Sequence, residues 1–213
     1  MRYKAILFDM DGTLLDTLTD MADAVNHILS VHGWPLRTTE EVRAFVGNGA
    51  RRLMERAVPP EVTGGDFETV LTEYRDWYQA HNCVATAPYP GIPALLAALA
   101  EAGIKTAVVS NKPDATTKTL AARFFPGLPA FGQRDDVPPK PAPDLVFRAL
   151  ETLGVDAADA IYVGDSEVDV ATARNAGLPL AAVSWGFRGR RALAEAGAAV
   201  IVDTAAELLE VLQ

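Results

Sequence analysis

The chain has 213 residues, of which 49% are hydrophobic and 22% charged, a balance typical of a globular protein with a sizeable core. Its net charge of −9 argues against a nucleic-acid or anionic-membrane surface, because clustered lysines and arginines hold such partners. One cysteine, Cys83, excludes an internal disulfide and is typical of the reducing cytoplasm. The start leaves no room for a signal peptide, and prolines break the uncharged stretch 82–100. We therefore expect a cytoplasmic protein without a membrane span.

The chain opens with the apolar run Ala5-Ile6-Leu7-Phe8, which predicts a strand buried on both faces. Residues 16 to about 86 then show the three-four apolar spacing of amphipathic helices, one of which begins at a Thr38–Glu41 capping box. From Pro88 onward, helices and strands alternate, a pattern that predicts crossover units and a parallel sheet. The predicted helices are 91–102, 113–123, 143–153, 168–176 and 205–212, and the predicted strands are 105–110, 160–165, 180–184 and 199–202. A loop is expected between the second and third of these helices.

The opening strand is separated from the other strands by the helical block, although its composition matches theirs. The simplest interpretation is a Rossmann-like α/β core with a three-layer parallel-sheet architecture, made of residues 1–15 and 87–213. An all-helical cap, residues 16–86, would be inserted after the first strand. The two crossings, near Asp16 and near Pro88, are expected to act as hinges.

Two carboxylates, Asp9 and Asp11, follow the opening strand directly. In an extended backbone they would point to the same side, with alpha carbons about 6.5 Å apart, and could address one reacting group. Gly12 allows the chain to turn away at once. Because open parallel sheets bind ligands at the carboxyl ends of their strands, we expect the chemistry here.

Polar residues also follow three later segments. Ser110 and Asn111 end a predicted strand before a helix, an arrangement that suits a phosphate but is also common in simple helix caps. Lys140 lies among prolines that stiffen its loop. Asp165 ends another strand, and Asp169 lies one turn beyond it. Carboxylates gathered in this way favour a bound cation, and oxygen ligands suit Mg²⁺.

Four motifs occur in a fixed order: D-x-D-G-T at 9–13, Ser110 after a strand, Lys140 in K-P-x-P, and G-D-x-x-x-D at 164–169. On this α/β pattern the set resembles the haloacid dehalogenase superfamily, and the resemblance covers nearly the whole chain. One departure is the short, proline-rich segment 124–139, where Pro139 replaces a frequent second basic residue.

The resemblance implies that Asp9 is a nucleophile that becomes an aspartyl phosphate, and that Asp11 protonates the leaving oxygen and later activates water. It also implies a Mg²⁺ ion held by the Asp9 carboxylate, the Asp11 backbone carbonyl and Asp165, with Asp169 in support. The residues predicted to bind phosphate are Ser110, Asn111 and Lys140.

Asp11 favours phosphoryl transfer over dehalogenation, since a halide leaves without a proton. The helical insertion and its string 46–57 are similar to the phosphoglycolate phosphatase branch. We therefore predict a Mg²⁺-dependent phosphatase of a small phosphorylated metabolite, in the first place 2-phosphoglycolate. The alternatives are a phosphomutase, a phosphatase for a nucleotide, sugar phosphate or pyrophosphate, and a non-catalytic metabolite-binding protein.

Several polar residues of the insertion receive no catalytic role. Arg51 and Arg52 could reach a substrate carboxylate, but arginines on a helix more often form a solvated face. The three histidines are interpreted as structural; they are His27, His32 and His81. No oligomeric state follows from the sequence.

Overall fold

The computed structural model describes residues 2–213. The strands are β1 (Ala5–Phe8), β2 (Leu15–Asp16), β3 (Ala87–Pro88), β4 (Lys105–Pro113), β5 (Ala130–Gln133), β6 (Ala160–Gly164), β7 (Leu180–Val183) and β8 (Ile201–Val202). The helices before β4 are α1 (Leu18–Val31), α2 (Thr39–Phe45), α3 (Gly49–Ala57), α4 (Gly64–His81) and α5 (Ile92–Glu101). Those after it are α6 (Asp114–Phe124), α7 (Asp144–Leu153), α8 (Glu167–Ala176), α9 (Gly189–Glu195) and α10 (Ala205–Leu212), with a 3-10 turn at Ala157–Asp159.

Over residues 2–213, six strands form a parallel sheet in the order β5-β4-β1-β6-β7-β8. The opening strand β1 lies in the middle, paired with β4 and β6, and each of its residues is buried. Ile6 and Phe8 pack into an apolar cluster with residues of α5, α6 and α10, whereas Ala5 and Leu7 pack with α7 and α8 on the other face. The predicted α/β fold with a layered parallel sheet is confirmed.

Helices α1 to α4 form an apolar cluster of their own, built around residues such as Val25, Met54 and Leu71. The two crossings into this helical segment lie side by side, because β2 and β3 pair as a short antiparallel ribbon. We keep the division into a core, 1–15 and 87–213, and a cap, 16–86, as a proposal. Among residues 2–213, no helix combines the length and the apolar character that crossing a membrane requires.

The structure differs from the expectation around β4 and β5. Residues 130–133 form the edge strand β5 where a loop was predicted, and β4 extends to Pro113, so that α6 begins at Asp114. The Gly132 N–H donates to the Asp114 carboxylate at 3.0 Å, and a β-carbon on Gly132 would collide with the Asp114 backbone. This strand thus depends on a close tertiary approach, which local sequence patterns do not reveal. Helix α9 was also missed.

A buried carboxylate, Asp20 in the first turn of α1, ties the two crossings together. It is 2% exposed and accepts hydrogen bonds from the N–H groups of Val84, Ala85 and Thr86 at 3.1, 2.8 and 2.9 Å. The Thr86 hydroxyl donates to it at 2.7 Å. The segment that leaves the helical block is therefore anchored to the start of that block.

Asp20→Ala is expected to lower the free energy of unfolding by about 3 kcal/mol, because it removes four hydrogen bonds and leaves the Thr86 N–H and hydroxyl without a partner at a buried position. Denaturant unfolding monitored by circular dichroism measures the change. Asp23→Ala, an exposed aspartate on the same helix, is the matched control and should have little effect. Equal losses in the two variants would show that Asp20 does not anchor the crossing.

Candidate active site

The site is built where neighbouring parallel strands end. Asp9 follows β1 and Asp165 follows β6, and the pairing of Phe8 with Val163 brings these two ends together. Asp169, from the first turn of α8, completes a buried group of three carboxylates, each offering an oxygen within 4.8 Å of the others. The structure thus brings together Asp9 and Asp165, which the sequence placed at two separate strand ends, and Asp169, which it placed one turn beyond Asp165.

Lys140 supplies the positive charge beside these carboxylates. Its Nζ lies 3.0 Å from Asp9 Oδ1 and 2.8 Å from Asp169 Oδ1, and it donates to the Tyr162 hydroxyl at 3.0 Å. Burial opposes the charge on Lys140, but the carboxylates of Asp169 and Asp9 outweigh it and raise its pKa well above the usual value. The stiff loop therefore does aim an ammonium group, and it aims it at the nucleophile candidate.

Asn111 holds the Lys140 loop in place. Its Oδ1 accepts from the Lys140 backbone N–H at 2.7 Å, and its Nδ2 donates to the Lys140 carbonyl at 3.0 Å. Ser110, one residue earlier, is 1% exposed, and its hydroxyl oxygen accepts from the Lys112 N–H at 3.2 Å. Both residues line the cavity described below, and their contact with phosphate stays a prediction.

Asp169 is held more firmly than the other two carboxylates. Its Oδ2 accepts from the backbone N–H and the hydroxyl of Ser166 at 3.1 and 2.6 Å, which forms the capping box of α8. Its Oδ1 faces Lys140 and the Tyr162 hydroxyl. Asp169 therefore both caps a helix and fixes Lys140, which agrees with a supporting position.

The electrostatics of the cluster favour a cation. Burial raises the pKa of Asp9 to about 7, although Lys140 opposes the shift, and Asp169 and Asp11 add to it. Burial, with Asp169 and Asp9 nearby, also raises the pKa of Asp165 well above its usual value. The positive groups of the protein therefore do not neutralise all of the negative charge of these carboxylates. A divalent cation bound by their oxygen atoms would neutralise the rest.

Asp11 is not one of the three clustered carboxylates, and its side chain has partners of its own. Its Oδ1 accepts from the Thr17 hydroxyl at 2.7 Å and lies 3.2 Å from Lys112 Nζ. Its side chain is 15% exposed, whereas that of Lys112 is 3% exposed. Asp9 and Asp11 therefore have different surroundings, one beside the carboxylate cluster and one beside a lysine and a hydroxyl.

A cavity of about 350 Å³ opens over these residues. Its core side includes Asp9, Asp11, Ser110, Asn111, Lys112 and Asp165, and its helical side includes Val46, Gly47, Leu53, Tyr74 and Tyr78. The volume lies within the range of small-molecule sites. A ligand in this cavity would touch Asp9, Asp11 and the inserted helices.

Sequence reasoning assigned no role to the segment 185–188, which lies between β7 and α9. The Phe187 N–H donates to Asp165 Oδ2 at 2.7 Å, and the Phe187 ring packs in the cluster of α1 to α4. Arg188 donates to the carbonyls of Arg43 and Val46 at the end of α2, at 2.8 and 2.5 Å. These contacts connect the carboxylate cluster to the helices above it. Thr13, whose hydroxyl donates to Asp165 Oδ1 at 3.2 Å, was visible in D-x-D-G-T.

The polar residues set aside at the sequence level lie outside the cluster. Arg51 makes an exposed pair with Glu68 at 2.7 Å, and Arg52 pairs with Glu55. His27 and His81 stack on the two faces of Trp77, with ring centroids 4.7 and 4.0 Å away. The third histidine, His32, stacks on Trp34 and contacts Glu73.

Gly12 lies against the carboxylate cluster. Its φ is +80°, and a β-carbon there would collide with all three outer atoms of the Asp165 carboxylate. Gly12→Ala is expected to displace Asp165 and so lower the kcat of the folded protein at least about 100-fold. Any loss of stability would come in addition. Activity and thermal unfolding should be measured together.

Gly103→Ala is the matched control, because Gly103 has φ +72° but nothing within 4 Å of its β-carbon position. It should lose stability through backbone strain while keeping its activity. Similar kcat values in the two variants would show that close packing at Gly12 is unimportant.

This fold and site define an α/β enzyme with a carboxylate cluster suited to a divalent cation. The family model described as haloacid dehalogenase-like hydrolase matches residues 6–183, and the chain belongs to that family.

Similar proteins support a more specific class. The chain is 36% identical to the N-acetylmuramic acid 6-phosphate phosphatase of Pseudomonas aeruginosa, over 100% of this chain and 96% of that protein. It is 34% identical to a phosphoglycolate phosphatase of Pseudomonas savastanoi pv. phaseolicola, over 97% of this chain and 78% of that protein. A crystal structure from Lactobacillus delbrueckii subsp. bulgaricus, assigned as a phosphoglycolate phosphatase, superposes with a TM-score of 0.94 at 37% identity, covering 100% and 99% of the two chains. The predicted superfamily, and the predicted phosphoric monoester hydrolase similar to phosphoglycolate phosphatases, are confirmed.

Proposed function

We propose that the protein is a Mg²⁺-dependent phosphatase of small phosphate monoesters, with 2-phosphoglycolate as the first candidate substrate, acting through an aspartyl phosphate on Asp9. The observation that carries the proposal is the position of Asp9. Its carboxylate is buried at the carboxyl edge of the sheet, 3.0 Å from Lys140 Nζ, and it lines the cavity. A carboxylate so placed can reach a phosphorus atom only if the charge of the phosphate is neutralised.

In the proposed reaction, an Asp9 oxygen attacks phosphorus and the bond from phosphorus to the ester oxygen breaks. Asp11 gives its proton to that leaving oxygen, and the alcohol departs. Asp11 then takes a proton from water, which attacks phosphorus and releases phosphate and free Asp9. Lys140 neutralises charge throughout, while Ser110 and Asn111 are proposed to contact the phosphoryl group.

The residues present fit a magnesium ion. We assign the Asp9 carboxylate, the Asp165 carboxylate and the Asp11 backbone carbonyl as its protein ligands, with Asp169 supporting the site. The fit rests on an oxygen-only donor set and on two buried carboxylates whose pKa values are raised. When bound, the ion would reduce the repulsion between the phosphate and the attacking carboxylate.

The substrate is proposed from cavity size and from the similar proteins. A cavity of about 350 Å³ suits a small metabolite and no macromolecule, so that nucleic acid is not a proposed partner. A phosphoglycolate phosphatase aligns with 97% of this chain at 34% identity. A second candidate is a sugar phosphate such as N-acetylmuramic acid 6-phosphate, because the phosphatase of that name matches at 36% over the full length.

A substrate screen with Mg²⁺ present and absent tests this proposal. The purified protein should release phosphate from 2-phosphoglycolate with kcat/KM at least about tenfold above N-acetylmuramic acid 6-phosphate, glucose 6-phosphate, a nucleoside monophosphate and pyrophosphate. Chelation with EDTA should abolish release, and added Mg²⁺ should restore it. Release that persists in EDTA would contradict the metal assignment, and a tenfold preference for the muramic acid ester would select the second candidate.

A further inference from the structure

Lys112 lies where β4 meets the inserted helices. It is 5% exposed, and its Nζ donates to the Tyr78 hydroxyl on α4 at 2.9 Å. The same nitrogen is 4.5 Å from the centroid of the Tyr78 ring and 3.2 Å from Asp11 Oδ1. A lysine that is nearly fully buried at the wall of a cavity, beside the proposed proton donor, has no role in the reaction as derived above.

The other basic side chains around the cavity are either paired with acceptors of the protein or exposed to solvent. Arg188 pairs with Glu167 at 2.9 Å and donates to two backbone carbonyls. Arg75 is exposed on α4. Lys140 has three acceptors around its Nζ. An ammonium group has three donors, and within residues 2–213 Lys112 Nζ makes one side-chain hydrogen bond, to Tyr78, beside its ion pair with Asp11.

We propose that Lys112 binds a carboxylate on the leaving part of the substrate and so selects acidic phosphate esters. The inference rests on the proposed function, because Asp11 must lie within hydrogen-bond distance of the leaving oxygen. Lys112 Nζ is 3.2 Å from the same Asp11 carboxylate. A substituent on the carbon that carries the leaving oxygen would therefore lie beside Lys112 Nζ. The carboxylate of 2-phosphoglycolate is such a group.

Burial makes this contact selective. An ion pair is stronger away from water, whereas a neutral substituent would leave the buried ammonium group without a new partner. Tyr78 contributes from the helical side, since its hydroxyl and ring hold Lys112 in place. The anion subsite is thus formed jointly by the core strand β4 and the inserted helix α4.

The test compares 2-phosphoglycolate with 2-hydroxyethyl phosphate, an ester of the same length without the carboxylate. The variants are Lys112→Met and Lys112→Gln, which remove the charge, and the control is Lys118→Met, whose side chain is 57% exposed on α6. The wild type should prefer 2-phosphoglycolate by at least about tenfold in kcat/KM. In the Lys112 variants this preference should disappear, mainly through a higher KM for 2-phosphoglycolate, whereas Lys118→Met should retain it.

Equal losses on both esters in the Lys112 variants would overturn the inference, because Lys112 would then act only through Asp11. A wild type that hydrolyses both esters equally well would also overturn it while leaving the phosphatase function intact. A wild type that hydrolyses neither would contradict the proposed function as well. If the variants fail to fold, inhibition of the wild type decides: glycolate should inhibit at concentrations at least about tenfold lower than ethylene glycol, and equal inhibition overturns the inference.

Discussion

Asp9→Asn is expected to lower kcat at least about 1,000-fold, because the amide cannot attack phosphorus, while the fold stays intact. Its side-chain oxygen can still accept the Met10 N–H, which donates to Asp9 Oδ1 at 2.7 Å. Burial raises the pKa of Asp9 in the folded protein to about 7. Without metal, the charged Asp9 carboxylate therefore destabilises the folded state at every pH above its pKa in the unfolded chain. At pH 8 in EDTA, the variant should therefore unfold at the same temperature as the wild type or higher.

Steady-state kinetics with Mg²⁺ and thermal unfolding in EDTA check the two halves of this prediction. Asp23→Asn, at an exposed position on α1, is the control and should keep full activity. Substantial phosphatase activity in Asp9→Asn, from a preparation free of wild-type protein, would remove Asp9 as the nucleophile. A much lower unfolding temperature would show that Asp9 is a structural carboxylate.

Lys140→Met should have the largest combined effect on activity and stability. It removes the ammonium group that contacts Asp9 and Asp169 at 3.0 and 2.8 Å and leaves buried carboxylates without their partner. Breaking a buried ion pair in this way costs about 3–5 kcal/mol. We expect such a loss in the free energy of unfolding, together with a fall in kcat of at least about 1,000-fold.

The stability loss should depend on pH in a defined direction. Without Lys140, which lowers the pKa of Asp9 against the effect of burial, the pKa of Asp9 rises further, so the folded state binds more protons than the unfolded chain. Stability of the variant should therefore fall as pH rises from about 5 to about 8, and its deficit relative to the wild type should grow. Lys4→Met, which removes an exposed pair with Asp159, is the control and should change stability little at any pH. A pH-independent deficit would contradict the electrostatic explanation.

The positions of the clustered carboxylates could be predicted from the sequence because they follow from local patterns. Asp9 and Asp165 each follow a short apolar run, and the geometry of parallel sheets places such strand ends at one edge. The helical block was equally clear from its three-four spacing. Thr38 and Glu41 form the predicted capping box, which is a contact between residues three apart.

The residues that sequence reasoning missed depend on distant contacts. Lys112 follows Ser110 and Asn111 in the sequence, but its position beside Asp11 and Tyr78 follows only from the packing of α4 over the sheet edge. Strand β5 is short, lies among prolines and is fixed by Gly132 against α6. Asn111 was predicted from its place after a strand, yet its hydrogen bonds are with the Lys140 loop, 29 positions away, and with the Gly47 carbonyl, 64 positions away. Patterns within a window of residues carry no information on such pairs.

The central claim is that phosphate passes through Asp9, and the stereochemistry at phosphorus tests it most directly. A 2-phosphoglycolate made chiral at phosphorus with oxygen isotopes would be hydrolysed in isotopically defined water, and the configuration of the released phosphate determined. Two in-line displacements, first by Asp9 and then by water, each invert phosphorus and together give retention. Our account predicts retention of configuration. Inversion would mean that water attacks the ester directly, which would contradict the aspartyl phosphate.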